Sequence, residues 1–197
     1  MRFAPPQVLQ SANVEMPIFF DGEVFGESLQ SAIRQAPDAV VLQCIEPHAA
    51  AQPEDGGDLP LHVALRHRRS EQIVTSLAAA HPAAVEAPGR DARLPLHLAC
   101  MLHANARAQK LEVRLDHTPN QWVTVVRVLL EAHPAAVSLP DGLGRLPLHH
   151  AAARRAPLEL LQHVCDAHPQ AASLADVAGD TPLHLLAAQH DQSERSK

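Results

Sequence analysis

The chain has 197 residues, with 22 acidic residues against 16 Lys and Arg and a net charge of −6 when its 14 histidines are neutral. The length allows one domain or two, and the acidic balance argues against a nucleic-acid surface. No apolar run approaches the roughly 18 residues of a membrane span, residues 1–15 lack an apolar signal core, and the three widely spaced cysteines, Cys44, Cys100 and Cys165, read as buried free thiols.

In chain order, residues 1–26 come first and hold all four phenylalanines, three of them in "MPIFFDGEVFGE". They are expected to form an N-terminal segment or cap. The stretch "SLQSAIRQAPDAVVL" fits a degenerate opening repeat, with Pro37 in the place that Pro82 takes later and an apolar stripe of Ser28, Leu29, Ala32 and Ile33. On that register "QCIEPHAAAQPEDGG" is a loop longer than its later counterparts.

From Asp58 a short phrase recurs: "DLPLHVAL", then "RLPLHLAC" from Arg93, "RLPLHHAA" from Arg145 and "DTPLHLLA" from Asp180. Its prolines, 60, 95, 147 and 182, are separated by 35, 52 and 35 residues. A second phrase, "AHPAAV" or "AHPQAA", puts prolines at 82, 134 and 169 and keeps the same step. One insertion of 17 residues between Ala99 and Trp122 accounts for both irregular intervals. A fixed period of this size marks a stacked repeat array.

Each proline of "PLH" suits the first position of a helix, where its missing N–H needs no partner. A second, longer helix follows, because Ile73, Val74, Leu77 and Ala78 form one apolar stripe, as do Val125, Val126, Leu129 and Leu130, and Leu160, Leu161, Val164 and Cys165. Pro82, Pro134 and Pro169 stop it, with His81, His133 and His168 placed in its last turn. "APGRDAR", "LPDGLGR" and "ADVAGD" are turns. A single unit cannot enclose its own apolar face, so the units must stack.

The four "PLH" copies, in register with the second marker, resemble the ankyrin-repeat family, whose motif is Thr-Pro-Leu-His-x-Ala on a 33-residue period. The resemblance covers residues 27–190, as a divergent LPLHxA/AHPxA branch, and includes the D-x-x-G turns Asp141 to Gly144 and Asp176 to Gly179. It implies an all-α solenoid of stacked helix-turn-helix units with finger turns, about three full repeats plus partial terminal ones, an insertion near 103–121 and a polar tail at 191–197. Only Thr181 keeps the threonine; Leu59, Leu94 and Leu146 replace it, which removes a hydroxyl cap typically worth about 1 kcal/mol when nothing replaces it.

The sequence has no H-E-x-x-H, C-x-x-C, G-x-S-x-G or Walker loop. No enzyme, metal or cofactor is therefore expected. The resemblance gives the histidines of "PLH" a structural role across the repeat junction, and adjacent His149 and His150 diverge on a helix, a poor chelate. It implies a monomeric, cytoplasmic protein-binding scaffold, with the nucleus an open alternative, that contacts neither nucleic acid nor membrane. The alternative is the targeting or regulatory part of a larger catalytic assembly or chain.

The family's concave surface maps onto Asp58, Arg66, His67, Arg90, Asp91, Arg93, Met101, Leu102, Leu143, Arg145, Arg154, Val177, Asp180 and Gln189. Its arginines 66, 93, 145 and 154 point to an acidic partner segment. Trp122 is expected to pin the insertion to the stack.

Overall fold

A computed structural model describes residues 19–20, 23–24, 28–53, 56–102 and 121–194. Among the described residues two short antiparallel strands, β1 (Phe19–Phe20) and β2 (Glu23–Val24), precede ten α-helices. These are α1 (Leu29–Gln35), α2 (Asp38–Gln43), α3 (Pro47–Ala50), α4 (Pro60–Arg66), α5 (Glu71–Ala80), α6 (Pro95–Leu102), α7 (Gln121–Ala132), α8 (Pro147–Ala153), α9 (Leu158–Ala167) and α10 (Pro182–Glu194).

The helices form two rows. Helices α1, α4, α6, α8 and α10 pack one on the next in an inner row, and α2, α5, α7 and α9 do the same in an outer row. The core is the seam between them: Leu61, Leu65, Ile73, Leu77, Leu96, Leu129 and Leu160 are all fully buried. Each stripe read from the sequence faces this seam, with Ala78, Leu130, Leu161 and Cys165 packed half-buried at its edge.

Pro60, Pro147 and Pro182 start their inner helices, as Pro95 does. The prolines of "AHP" do more than stop a helix. They open short 3-10 turns over Pro82–Val85, Pro134–Ser138 and Pro169–Ser173. The preceding histidines have already left the helix, with φ of −140°, −143° and −150°. Their backbone closes it, as His81 N–H donates to the Leu77 carbonyl and His133 N–H to that of Leu129.

The opening repeat is present, but its register differs from the sequence expectation. Helix α1 stacks on α4 as an inner helix, and α2 is the outer one. Pro47, not Pro37, corresponds to Pro82: it begins α3, and it precedes Pro60 by the 13 residues that also separate Pro82 from Pro95. The segment taken for a long loop is thus a regular part of the repeat. What has shortened is the outer helix, to 6 residues in α2 against 10 in α5 and α9.

At the other end α10 runs to Glu194, through the first residues of the expected polar tail. Most of segment 1–26, and insertion residues 103–120 with the expected Thr118 cap, lie outside the described residues. Trp122, in the first turn of α7, packs half-buried against the core.

Candidate functional site

The last two turns that project from the inner row are built by one device. The Asp141 Oδ1 atom accepts the N–H groups of Leu143 and Arg145, each at 2.9 Å, while its own N–H donates to the Arg145 carbonyl. Asp176 repeats this with Ala178 at 2.9 Å and Asp180 at 3.0 Å. Gly144 and Gly179, at φ of +72° and +85°, occupy the left-handed region that side chains disfavour. Successive turns are joined by backbone: Gly142 N–H donates to the Asp91 carbonyl at 2.8 Å, and Val177 N–H to that of Leu143 at 3.1 Å.

A second device ties each turn to the preceding one through charge. Arg145 Nε donates to Asp176 Oδ2 at 2.8 Å. Arg93 Nε lies 3.4 Å from Asp141 Oδ2, which also meets His150 Nε2 at 2.9 Å. Both aspartates are buried. The Arg145 guanidinium, aided by the Asp180 and Ala178 amides, holds the Asp176 carboxyl below its ordinary range. At Asp141 burial acts against ionisation, but the Arg145 and Leu143 amides and the His150 ring outweigh it, and the carboxyl is again held low.

At the first of these junctions the polarity is reversed. Asp58 stands two residues before its proline, where Arg93 and Arg145 stand in the next two repeats. It accepts from the Arg90 amide at 2.9 Å and pairs with Arg66 Nε at 3.0 Å and Arg90 Nε at 3.4 Å. Gly89 takes the place that aspartate holds in the later turns, its N–H donating to the Arg93 carbonyl.

The "PLH" histidines complete the junctions. His62, His97 and His149 accept, on Nδ1, the N–H of the leucine that precedes the proline, at 3.1–3.2 Å. That bond puts the proton on Nε2, which in His62 donates to the Ala87 carbonyl and in His97 to the Arg145 carbonyl, both at 3.1 Å. His149 Nε2 makes no well-formed hydrogen bond among the described residues, although the Leu174 and Asp180 backbones act to favour its protonated form. Burial lowers the pKa of all three, that of His97 to about 4. Burial also lowers that of His150, whose ring meets His97 edge-on at 5.7 Å.

In the opening repeat Gln30 plays the histidine's part. Its Nε2 donates at 2.8 Å to the carbonyl of Gln52, five residues after Pro47, as His62 donates five residues after Pro82. No sequence motif marks this glutamine; the equivalence appears only once Pro47 is placed on the grid.

The residues read as a binding surface divide into two groups. Asp58 is buried, beyond the reach of a partner. Arg66, Arg93 and Arg145 are half-buried and engaged with the protein's own aspartates. Arg90 is exposed yet paired with Asp58, Asp91 pairs with Arg93 at 3.0 Å, and half-buried Asp180 closes the last turn. His67 and Arg154 are exposed at the ends of α4 and α8, and Leu143 and Val177 are 48% and 80% exposed at the turn tips. Met101 is half-buried at the end of α6, and Leu102 and Gln189 are fixed by their backbone on α6 and α10.

Cys100 is fully buried, its thiol pushed up to about 12 by desolvation, whereas Cys44 and Cys165 are only half-buried. Among the described residues no group of three or more His, Cys, Asp or Glu is arranged to hold a metal ion, and no helix is long and apolar enough to cross a membrane.

Residues 124–186, from α7 into α10, match the family described as ankyrin repeats (many copies). No curated protein matches the chain. Residues 124–186 are thus ankyrin repeats, and the same histidine bond and the same stacking continue outside the matched stretch, as far as α4 and α6.

Proposed function

We propose that this protein is a non-catalytic adaptor that binds another protein through the surface formed by its turn tips and inner helices, with residues 27–190 as the recognition unit. Ankyrin repeats generally mediate protein–protein interaction, and the family is generally non-catalytic. The observation that carries the reading is the division of labour in the turns. Buried carboxylates fix their shape, while apolar Leu143 and Val177 stay exposed at adjacent tips joined by a backbone hydrogen bond. Exposed apolar side chains on rigid, ordered loops favour association.

The test is affinity capture with the wild type and with His67→Ser, Leu143→Ser, Arg154→Gln, Val177→Ser. Reversing Arg66, Arg93 or Arg145 instead would strand Asp58, Asp141 or Asp176 inside the protein. A protein captured by the wild type and lost by a folded variant is the expected outcome. Equal capture by both would remove this surface as the binding site.

A further inference from the structure

The arginines that end the inner helices differ from those in the turns. Arg68 and Arg155 follow α4 and α8, and both have a φ of 53°, the left-handed conformation that costs a non-glycine residue roughly 1–2 kcal/mol. Glycine would take the same backbone at less cost. Arg155 already interacts within the protein, so it is the Arg68 side chain that the strain singles out, since strained positions of this kind cluster at ligand-binding sites.

The charges at this edge are also unbalanced. Helices α4, α6 and α8 stack in the inner row, so their C-terminal ends lie along one edge of the array. Half-buried Arg68 stands at one end of that edge and exposed Arg154 two repeats further on, with Met101 between them at the end of α6. Arg69, the next residue, is committed to Asp38 at 2.9 Å and to the Ala36 carbonyl. Arg68 and Arg154 have no carboxylate partner among the described residues. Burial, and then the positive charge of Arg154, lower the pKa of Arg68, so the two guanidiniums repel each other across α6. In a protein of net charge −6 that closes its turn arginines onto buried aspartates, this is a local excess of positive charge among the described residues.

We propose that the helix-end edge carrying Arg68 and Arg154 binds an acidic protein segment, one carboxylate of the partner meeting each guanidinium. The proposal rests on the adaptor reading and names the chemistry of its partner. A forked guanidinium pairs with a carboxylate through two parallel hydrogen bonds. An extended segment rises about 3.3 Å per residue, so carboxylates a few residues apart span the edge, with apolar Met101 beneath the residue between them.

The probe is a fluorescein-labelled oligoglutamate peptide, followed by anisotropy with the full chain. The variant is Arg68→Gly with Arg154→Gln; the glycine relieves the backbone at 68, so the fold is kept and the melting temperature should be unchanged or higher. Arg127→Gln, on the exposed face of α7, serves as the control. The expected result is salt-sensitive binding that weakens about tenfold or more in the double variant and is unchanged in the control. Equal binding by wild type and double variant overturns the proposal, as does an RNA oligonucleotide of the same charge binding equally well at this edge. Failure of the wild type to bind the peptide, while capture of a cellular partner still depends on Leu143 and Val177, overturns the acidic-segment proposal and leaves the adaptor reading standing.

Discussion

The carboxylate of Asp58 occupies the space that a side chain on Gly89 would need. A Cβ at residue 89 would lie 2.4 Å from Asp58 Oδ1 and 2.8 Å from His62 Cδ2. The glycine is therefore the counterpart of a reversed ion pair. Where Arg93 and Arg145 reach forward to an aspartate in the next turn, Asp58 reaches forward to an amide, and the next turn gives up its own aspartate to make room.

Gly89→Ala should destabilise the fold by about 1–3 kcal/mol through overpacking at this buried junction. Asp58→Ala should also cost stability, because Arg66 and Arg90 lose their partner. The double variant should be less unstable than the sum of the two, since removing the carboxylate clears the closer of the two clashes and leaves only the one with His62. Urea denaturation of all four proteins measures this coupling; strict additivity would mean that the two residues do not compete for space.

The buried imidazoles predict acid sensitivity. Their folded pKa values lie below the ordinary 6.5, so the unfolded chain takes up protons first as the pH falls. Their contribution is complete above about pH 6.5 and is lost as the pH drops toward the folded values. For His97, whose folded value is about 4, the loss by pH 5 is on the order of 2 kcal/mol. His97→Gln, which keeps a donor as Gln30 does, should flatten the dependence between pH 7 and 5 in urea titrations. Asp141 and Asp176 act in a lower window: with pKa values depressed below 3.8, their contribution fades only as the pH falls below that value.

Arg145→Ala should cost about 1–3 kcal/mol, at or below the lower end for a broken buried pair, because the arginine is 29% exposed and the Asp176 carboxylate keeps two amide donors. Arg127→Ala removes an exposed pair spanning 3.9 Å on α7 and should change stability by less than about 0.5 kcal/mol. Thermal melts of the two variants side by side test whether burial, rather than charge count, sets the difference.

Leu94→Thr restores the family's capping residue and should nevertheless destabilise the protein. Leu59, Leu94 and Leu146 are 8%, 5% and 4% exposed, so each contributes buried apolar surface worth about 1.5–3 kcal/mol. The hydroxyl cap returns only about 1 kcal/mol. Thr181 is half-exposed, and its hydroxyl meets the His184 ring and amide. The denaturation midpoint of Leu94→Thr should fall; a rise would show that the cap outweighs the burial.

Much of the array could be read from local pattern. The stripe Ile73, Val74, Leu77 and the proline of each "PLH" specify helices with one apolar face, because periodicity and a fixed φ act within a few residues of chain. The histidines could be assigned a structural role from the family motif, although not the tautomer that the amide before the proline imposes. The binding surface was legible only in part. Asp58, Arg93 and Arg145 occupy equivalent positions in the repeat, and nothing in their neighbours distinguishes a side chain facing a partner from one closed onto the next turn. The two prolines of the opening repeat posed the same difficulty, since Pro37 and Pro47 each end a plausible helix.

The repeat period, the apolar faces and the helix starts thus belong to the sequence itself, being set by interactions within each unit. The register of the opening repeat, the reversed pair at Asp58 and Gly89, and the separation of turn arginines from helix-end arginines were decided by stacking. Each depends on which groups a neighbouring repeat brings within about 3 Å, and a carboxylate 31 to 48 residues away leaves no local mark on the arginine it will bind.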